Sequence, residues 1–230
     1  MPIFLLEEKP VFPPAELADK DGIIAVGGDL SPERLINAYS QGIFPWFSEG
    51  DPITWWSPDP RLVLFPGEIH VSHSLRKLSD KNPFKLTCDR AFEQVIEYCS
   101  LPRDKQKETW ITREMIDAYT VLYHSGFAHS VEVWQDESLA GGFYGVSLGR
   151  CFFGESMFSR VSNASKFAFI KFAEKLFEQG FLLVDCQVPS EHLKRLGARE
   201  ISRANFLQIL QKSLKYETRT GKWDVFATTS

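Results

Sequence analysis

A chain of 230 residues, 43% of them hydrophobic and 24% charged, is long enough to bury one or two cores, and its composition is that of a soluble globular protein. The formal net charge of −4 argues against a surface that holds nucleic acid indiscriminately, though not against a local basic patch. No apolar run approaches the ~20 residues of a membrane span, and the start MPIFLLEEKP lacks the basic region of a signal peptide. Cys88, Cys99, Cys151 and Cys186 form no Cys-x-x-Cys pair and, with the histidines, no zinc spacing. Free thiols, no metal and a cytoplasmic location are the expectations.

Residues 1–62 read as a small N-terminal unit. Ser31 is placed to cap a helix, with Pro32 in its first turn and Gly42 just past its end. The segment GIFPWFSEGDPITWWSPDPR follows, Gly42 to Arg61. It holds three of the six tryptophans (Trp46, Trp55, Trp56), Phe44, Phe47 and four prolines (Pro45, Pro52, Pro58, Pro60). So many prolines forbid a regular helix or a central strand. So many large aromatics need cover, either from the protein's own core, which is the default, or from a stacked flat ligand. No low-complexity linker follows, so the two parts are expected to pack tightly.

Residues 63–230 read as one α+β domain. Arg76, Lys77, Lys81, Lys85 and Arg90 gather in one stretch against Asp80 and Asp89; Lys194, Arg195, Arg199 and Arg203 form a second basic group. Either is a solvated face unless a polyanion is in play. Asp89 is placed to cap a helix with Phe92, Val95, Ile96 and Cys99 on one side. Thr112 is placed to cap another, ending at Gly126. Ser130 to Gln135, Leu139 to Leu148 and Cys151 to Phe158 then read as an antiparallel meander with turns at Asp136-Glu137-Ser138 and Gly149-Arg150. A helix over about residues 165–179 follows, then a buried strand from Phe181 to Val188. Meander, helix, buried strand is the order of an acetyltransferase-like (GNAT) core, by analogy of fold.

Three polar residues stand out. Asp185 and Gln187 lie two apart on a strand built for burial, so they share a face. An unpaired carboxylate there is costly. Either Asp185 pairs with an arginine or a backbone amide, or the face opens into a cleft. Glu155 sits among Phe152, Phe153, Met157 and Phe158 and needs a partner: a salt bridge to Arg160 or Lys166, or a cationic ligand.

Four stretches carry a resemblance: GGDLSPERLINAYSQGIFPWF (Gly27 to Phe47), the aromatic segment Gly42 to Arg61, GGFYGVSLGRCFFGESMFSRVSNASK (Gly141 to Lys166) and LVDCQVPSEHLKRLGARE (Leu183 to Glu200). In series, the chain resembles the bacterial leucyl/phenylalanyl-tRNA–protein transferases. The resemblance implies a GNAT-like catalytic domain and transfer of Leu or Phe from aminoacyl-tRNA to the N-terminal Arg or Lys of a protein, which creates an N-degron. It implies no cofactor. It makes Asp185-Cys186-Gln187 the catalytic strand, with Asp185 favouring loss of the amine proton through Gln187. Glu155 would recognise the acceptor. Phe143, Phe152 and Met157 would line the slot for the donor side chain. Trp46, Trp110 and Tyr119 would stack the terminal adenosine, and Gly141-Gly142 would let ligand backbone approach. Arg76, Lys77, Lys81 and Lys85 would meet tRNA phosphates.

Two departures matter. Ser190 stands where many relatives have Asn, which puts a direct contact there in doubt. VSNAS stands before the helix at Ser165, where an acyl-CoA enzyme would have a Gly-x-Gly pyrophosphate loop. That absence weighs against the competing reading as a GNAT-type acyl-CoA N-acyltransferase. The carboxylate on a buried strand weighs, less strongly, against a non-catalytic adaptor for tRNA or peptide N-termini. No charged heptad suggests obligate assembly, so a monomer is expected.

Overall fold

The computed structural model describes residues 3–81, 83–102 and 109–226, without the side chains of 79 and 80, so Asp80 of the first basic group lies outside the described side chains. Two sheets organise the chain. The first has four strands: β1 (Phe4–Leu6), β2 (Ile23–Gly27), β3 (Phe44–Pro45) and β4 (Thr54–Trp56), in the order β1-β2-β4-β3. Between β2 and β3 lies α1 (Pro32–Ser40), started as expected by Ser31, whose Oγ accepts from Arg34 N.

The prolines were expected to exclude an inner strand from Gly42–Arg61. The structure corrects this, because β4 lies between β2 and β3. Its three residues fit between Pro52 and Pro58, and Pro45 falls on the edge strand, so no proline interrupts the inner ladder. The aromatics mostly serve the core. Trp55 is fully buried, with its Nε1 donating to Gly27 O at 2.9 Å, and Phe44 and Phe47 are buried too. Trp46 is 39% exposed and leans on the half-buried Trp56.

The second sheet has seven strands. β5 (Arg61–Leu64) enters it directly after the aromatic segment. Then come α2 (His73–Lys81), β6 (Lys85–Cys88), α3 (Phe92–Ser100) and α4 (Arg113–His124). The meander is β7 (Ala128–Gln135), β8 (Ser138–Leu148) and β9 (Cys151–Ser159), followed by α5 (Ala164–Glu178), β10 (Leu183–Gln187), α6 (Glu191–Lys194), β11 (Arg199–Ile201) and α7 (Arg203–Ser213). The order is β11-β5-β10-β9-β8-β7-β6, antiparallel throughout except for the parallel pair β9–β10. A parallel pair needs a crossover, and α5 supplies it. This is the mixed, mostly antiparallel α+β sheet of the expected core.

The pleat sorts side chains to two faces. Along β8, Tyr144 and Val146 join the core beneath α1, α3, α4 and α7, while Phe143 joins the one beneath α5. The first core also takes Ile24, Tyr39, Phe44 and Trp55, so the two sheets share buried contacts, as the missing linker suggested.

Thr112 caps α4 through Oγ1 and Met115 N. Asp89 does not cap α3. Its carboxylate instead accepts from Ser130 N and Trp223 N and meets His129 Nδ1 at 2.8 Å, all buried. The glycine pair also serves packing rather than a ligand. A Cβ on Gly141 would come within 3.0 Å of Ala164 Cβ at the start of α5, and one on Gly142 within 2.8 Å of Val131 O.

Candidate active site

Strands β9 and β10 pair only from Leu183–Cys151 to Asp185–Phe153. Beyond that point each is bulged against its other neighbour. The β8–β9 register jumps from Gly145–Gly154 to Tyr144–Ser156, leaving Glu155 opposite nothing. The β10–β5 register jumps from Asp185–Val63 to Gln187–Leu62, leaving Cys186 unpaired. Bulges re-aim side chains and end pairing. Here they part the two strands, and a cavity of about 530 Å³ opens in the gap. Phe143, Phe152, Met157 and Phe169 make its apolar wall; Glu155, Gln187, Ser190 and His192 are its main polar groups.

Glu155 is the centre of a hydrogen-bond cluster. Its Oε1 accepts from Tyr39 Oη and from Gln187 Nε2, both at 2.7 Å, and its Oε2 accepts from Tyr119 Oη at 3.1 Å. The two tyrosine hydroxyls also touch each other. The alternative salt bridge does not form: Arg160 reaches Tyr98 Oη, and Lys166 reaches Asn163 Oδ1. Among the described residues no cation pairs with it, and burial pushes the Glu155 carboxyl up to about 7, against the opposing pull of its three hydrogen bonds. Burial, helped by the charge of Glu155, drives Tyr39 and Tyr119 far above their ordinary range. Both therefore act as neutral donors.

Asp185 lies elsewhere. It is fully buried, and Arg61 grips it with two bonds, Nε to Oδ1 at 2.9 Å and Nη2 to Oδ2 at 2.6 Å. Arg61 itself lies between the rings of Phe44 and Phe206, and its Nη1 donates to Gly42 O. Asp185 Oδ1 also accepts from Gln187 N at 2.9 Å. The expectation that Asp185 and Gln187 share a face fails at the bulge. Gln187 has φ of 63°, and its side chain turns to Glu155, so Asp185 meets its backbone rather than its amide.

The other expected residues divide. Phe143, Phe152 and Met157 line the cavity together. Tyr119 is fully buried and offers no face for stacking; only its hydroxyl reaches the site. Trp46 is open to solvent and Trp110 is half-buried against the core, and neither lines the cavity. Arg76, Lys77 and Lys81 on α2 and Lys85 on β6 are exposed, and among the described residues none is in a salt bridge. The second basic group is largely neutralised: Lys194 pairs with Glu200 at 2.7 Å, Arg199 pairs with Glu68 at 2.9 Å, and Arg203 donates to Ser57 O. Reading the sequence missed Tyr39 and His192, and it missed Arg61 except as the unnamed arginine that could pair with Asp185.

A mixed sheet with a cleft where its parallel strands part, and a carboxyl held by neutral donors beside that cleft, makes this the candidate active site. Comparison with known proteins supplies the class. The leucyl/phenylalanyl-tRNA protein transferase family matches residues 63–211, and its N-terminal domain matches residues 28–59. A leucyl/phenylalanyl-tRNA–protein transferase of Myxococcus xanthus is 55% identical over 97% of both chains. Another from Syntrophus aciditrophicus is 54% identical over the whole of this chain and 97% of its own. The chain belongs to the leucyl/phenylalanyl-tRNA protein transferase family. Among solved structures, a GCN5-related N-acetyltransferase from Kribbella flavida aligns over 77% of this chain and 63% of its own, at 11% identity and a TM-score of 0.38.

Proposed function

We propose that this chain moves Leu or Phe from aminoacyl-tRNA onto the α-amine of a protein that begins with Arg or Lys, working as a cytoplasmic monomer and so creating an N-degron. The names of its full-length relatives support the donor and the class of reaction. The observation that carries the chemistry is the contact of Gln187 Nε2 with Glu155 at the polar end of an apolar cleft.

The donor ester is already activated, so the enzyme must position two substrates and handle one proton. Phe143, Phe152 and Met157 hold the apolar donor side chain; Met157 adapts to either guest. Glu155 supplies the negative charge that draws a cationic N-terminal residue. Its bond to Gln187 Nε2 leaves Gln187 Oε1 to accept from the α-amine. The amine nitrogen bonds to the ester carbonyl carbon, and the bond from that carbon to the ribose oxygen breaks. The nitrogen attacks as the neutral amine and sheds one proton as the amide forms, and the departing ribose oxygen takes up one proton, with Glu155 as the group in the site that accepts and returns it. Asp185 acts at one remove: with Arg61 it fixes the strand and the backbone of Gln187. It is a positioning residue in this scheme.

The test mixes purified protein with radiolabelled Phe-tRNA and peptides beginning with Arg, Lys or Met, alongside labelled acetyl-CoA. Label is expected on the Arg and Lys peptides, from the tRNA donor only. Transfer from acetyl-CoA, or binding of Phe-tRNA without transfer, would overturn the proposal in favour of an acyl-CoA enzyme or an adaptor.

A further inference from the structure

The chamber that takes the donor side chain has a second layer. Phe143 and Phe152, which line it, pack on Phe172 of α5, with centroids 5.3 and 4.8 Å away. Behind them stands Trp223, from the segment after α7. Its ring lies 6.2 Å from Phe152, 6.2 Å from Phe172 and 5.8 Å from Phe181, and the residue is 2% exposed. Two hydrogen bonds and one stack hold it there. Its backbone N–H donates to Asp89 Oδ2 at 2.7 Å, and its Nε1 donates to Arg219 O at 3.1 Å. Asp89 in turn meets His129 at 2.8 Å, and the His129 ring stacks on the indole at 3.8 Å. This explains why Asp89 is drawn away from the helix it was expected to cap.

We infer that Trp223 is a specificity-determining residue that acts through Phe152: it sets the depth of the donor chamber and so the choice between Leu and Phe. The inference rests on the proposed donor. A close-packed wall retreats only if the volume behind it is removed. While Trp223 is pinned, Phe152 cannot lean back. A shallow chamber packs well around Leu, and a deeper one gives the longer Phe ring more contact. Differences of about one methylene in an apolar pocket change selectivity by ~10- to 200-fold.

The experiment measures kcat/KM for Leu-tRNA and Phe-tRNA on one preparation of each variant, with the same Arg-starting peptide. The ratio of the two values does not depend on how much of the preparation is folded. Trp223→Leu should raise the Phe-to-Leu ratio about ten-fold over wild type and leave the peptide KM unchanged. In a Phe152→Leu background the same substitution should shift the ratio no further, since the residue it acts through is gone. An equal loss with both donors would overturn the inference and make Trp223 a scaffold residue. So would a full additional shift in the Phe152→Leu background. If Trp223→Leu does not fold, the ratio is read on Trp223→Phe, where a smaller shift in the same direction is expected and no shift overturns the inference. Wild-type protein that fails to use either donor would instead sink the proposed function itself.

Discussion

The Glu155 carboxyl carries a charge that its surroundings resist. Three neutral donors hold it, and desolvation outweighs them, raising its pKa from the ordinary 4.5 to about 7. Two pH effects follow. If the ionised form draws the acceptor and takes the proton, kcat/KM for the peptide should rise with pH through about 7 and then level off. Glu155→Gln should remove that limb and reduce kcat/KM for the peptide by roughly two orders of magnitude, with little change in aminoacyl-tRNA binding. For stability the sign is opposite. Between the unfolded and folded pKa the native state holds the extra proton, so this group's contribution is complete below 4.5 and is lost as pH rises through about 7. The loss is bounded at roughly 3–4 kcal/mol, at about 1.4 kcal/mol per pKa unit. The melting temperature of Glu155→Gln should therefore fall less between pH 5 and 8 than that of wild type. Parallel melting curves, with an unchanged pH–rate profile, would leave Glu155 no role in proton transfer.

Strand β10 carries a buried ion pair, Asp185 with Arg61. Asp185→Ala would strand the Arg61 guanidinium between Phe44 and Phe206, and breaking a buried pair costs about 3–5 kcal/mol. The strand also loses the carboxylate that holds Gln187 N, so turnover should fall by about two orders of magnitude. The double variant Asp185→Leu with Arg61→Met separates the two effects. Apolar replacement of a buried pair is often neutral, so stability should return, while turnover should stay low because Gln187 N has no acceptor. Urea denaturation and single-turnover transfer measure the two quantities, and recovery of both would make the pair structural only. The same strand shows what a sequence discloses. The caps at Ser31 and Thr112, the meander and the helix after it rest on neighbours a few residues apart, and the sequence displays them. The bulges that free Glu155 and Cys186 arise from register between strands far apart in the chain, so a simple alternation misplaced Asp185. Tyr39 lies 116 residues from the carboxylate it serves, on a helix whose buried face reads as ordinary core. The apolar wall was legible because Phe143, Phe152 and Met157 sit on adjacent strands of a recognisable meander.

At the scale of the whole molecule, charge must be reconciled with a polyanionic substrate. The chain carries −4 overall, so the tRNA body needs a local cationic surface. The structure distinguishes the two basic groups. Glu200 and Glu68 occupy Lys194 and Arg199, whereas Arg76, Lys77 and Lys81 stand exposed on α2, and Lys85 on β6, with no salt bridge among the described residues. The helix α2 packs beside α5, the helix that carries Phe169 of the cavity wall, so a polyanion held on α2 would lie on the same side of the sheet as that wall. Phosphate contacts are blind to base sequence and weaken with salt, through release of counterions. Reversing Arg76 and Lys77 to Glu should therefore weaken binding of all tRNA bodies alike. It should flatten the log–log dependence of affinity on salt by about one to two units. Both side chains are exposed, so the fold should hold, and circular dichroism would verify that. An aminoacyl-adenosine donor, which lacks the tRNA body, should be used almost as well as by the wild type because it has almost no phosphate to lose. Equal losses with the full and the minimal donor would mean that α2 supports the fold instead. An unchanged salt slope would move the tRNA body to another surface of the molecule.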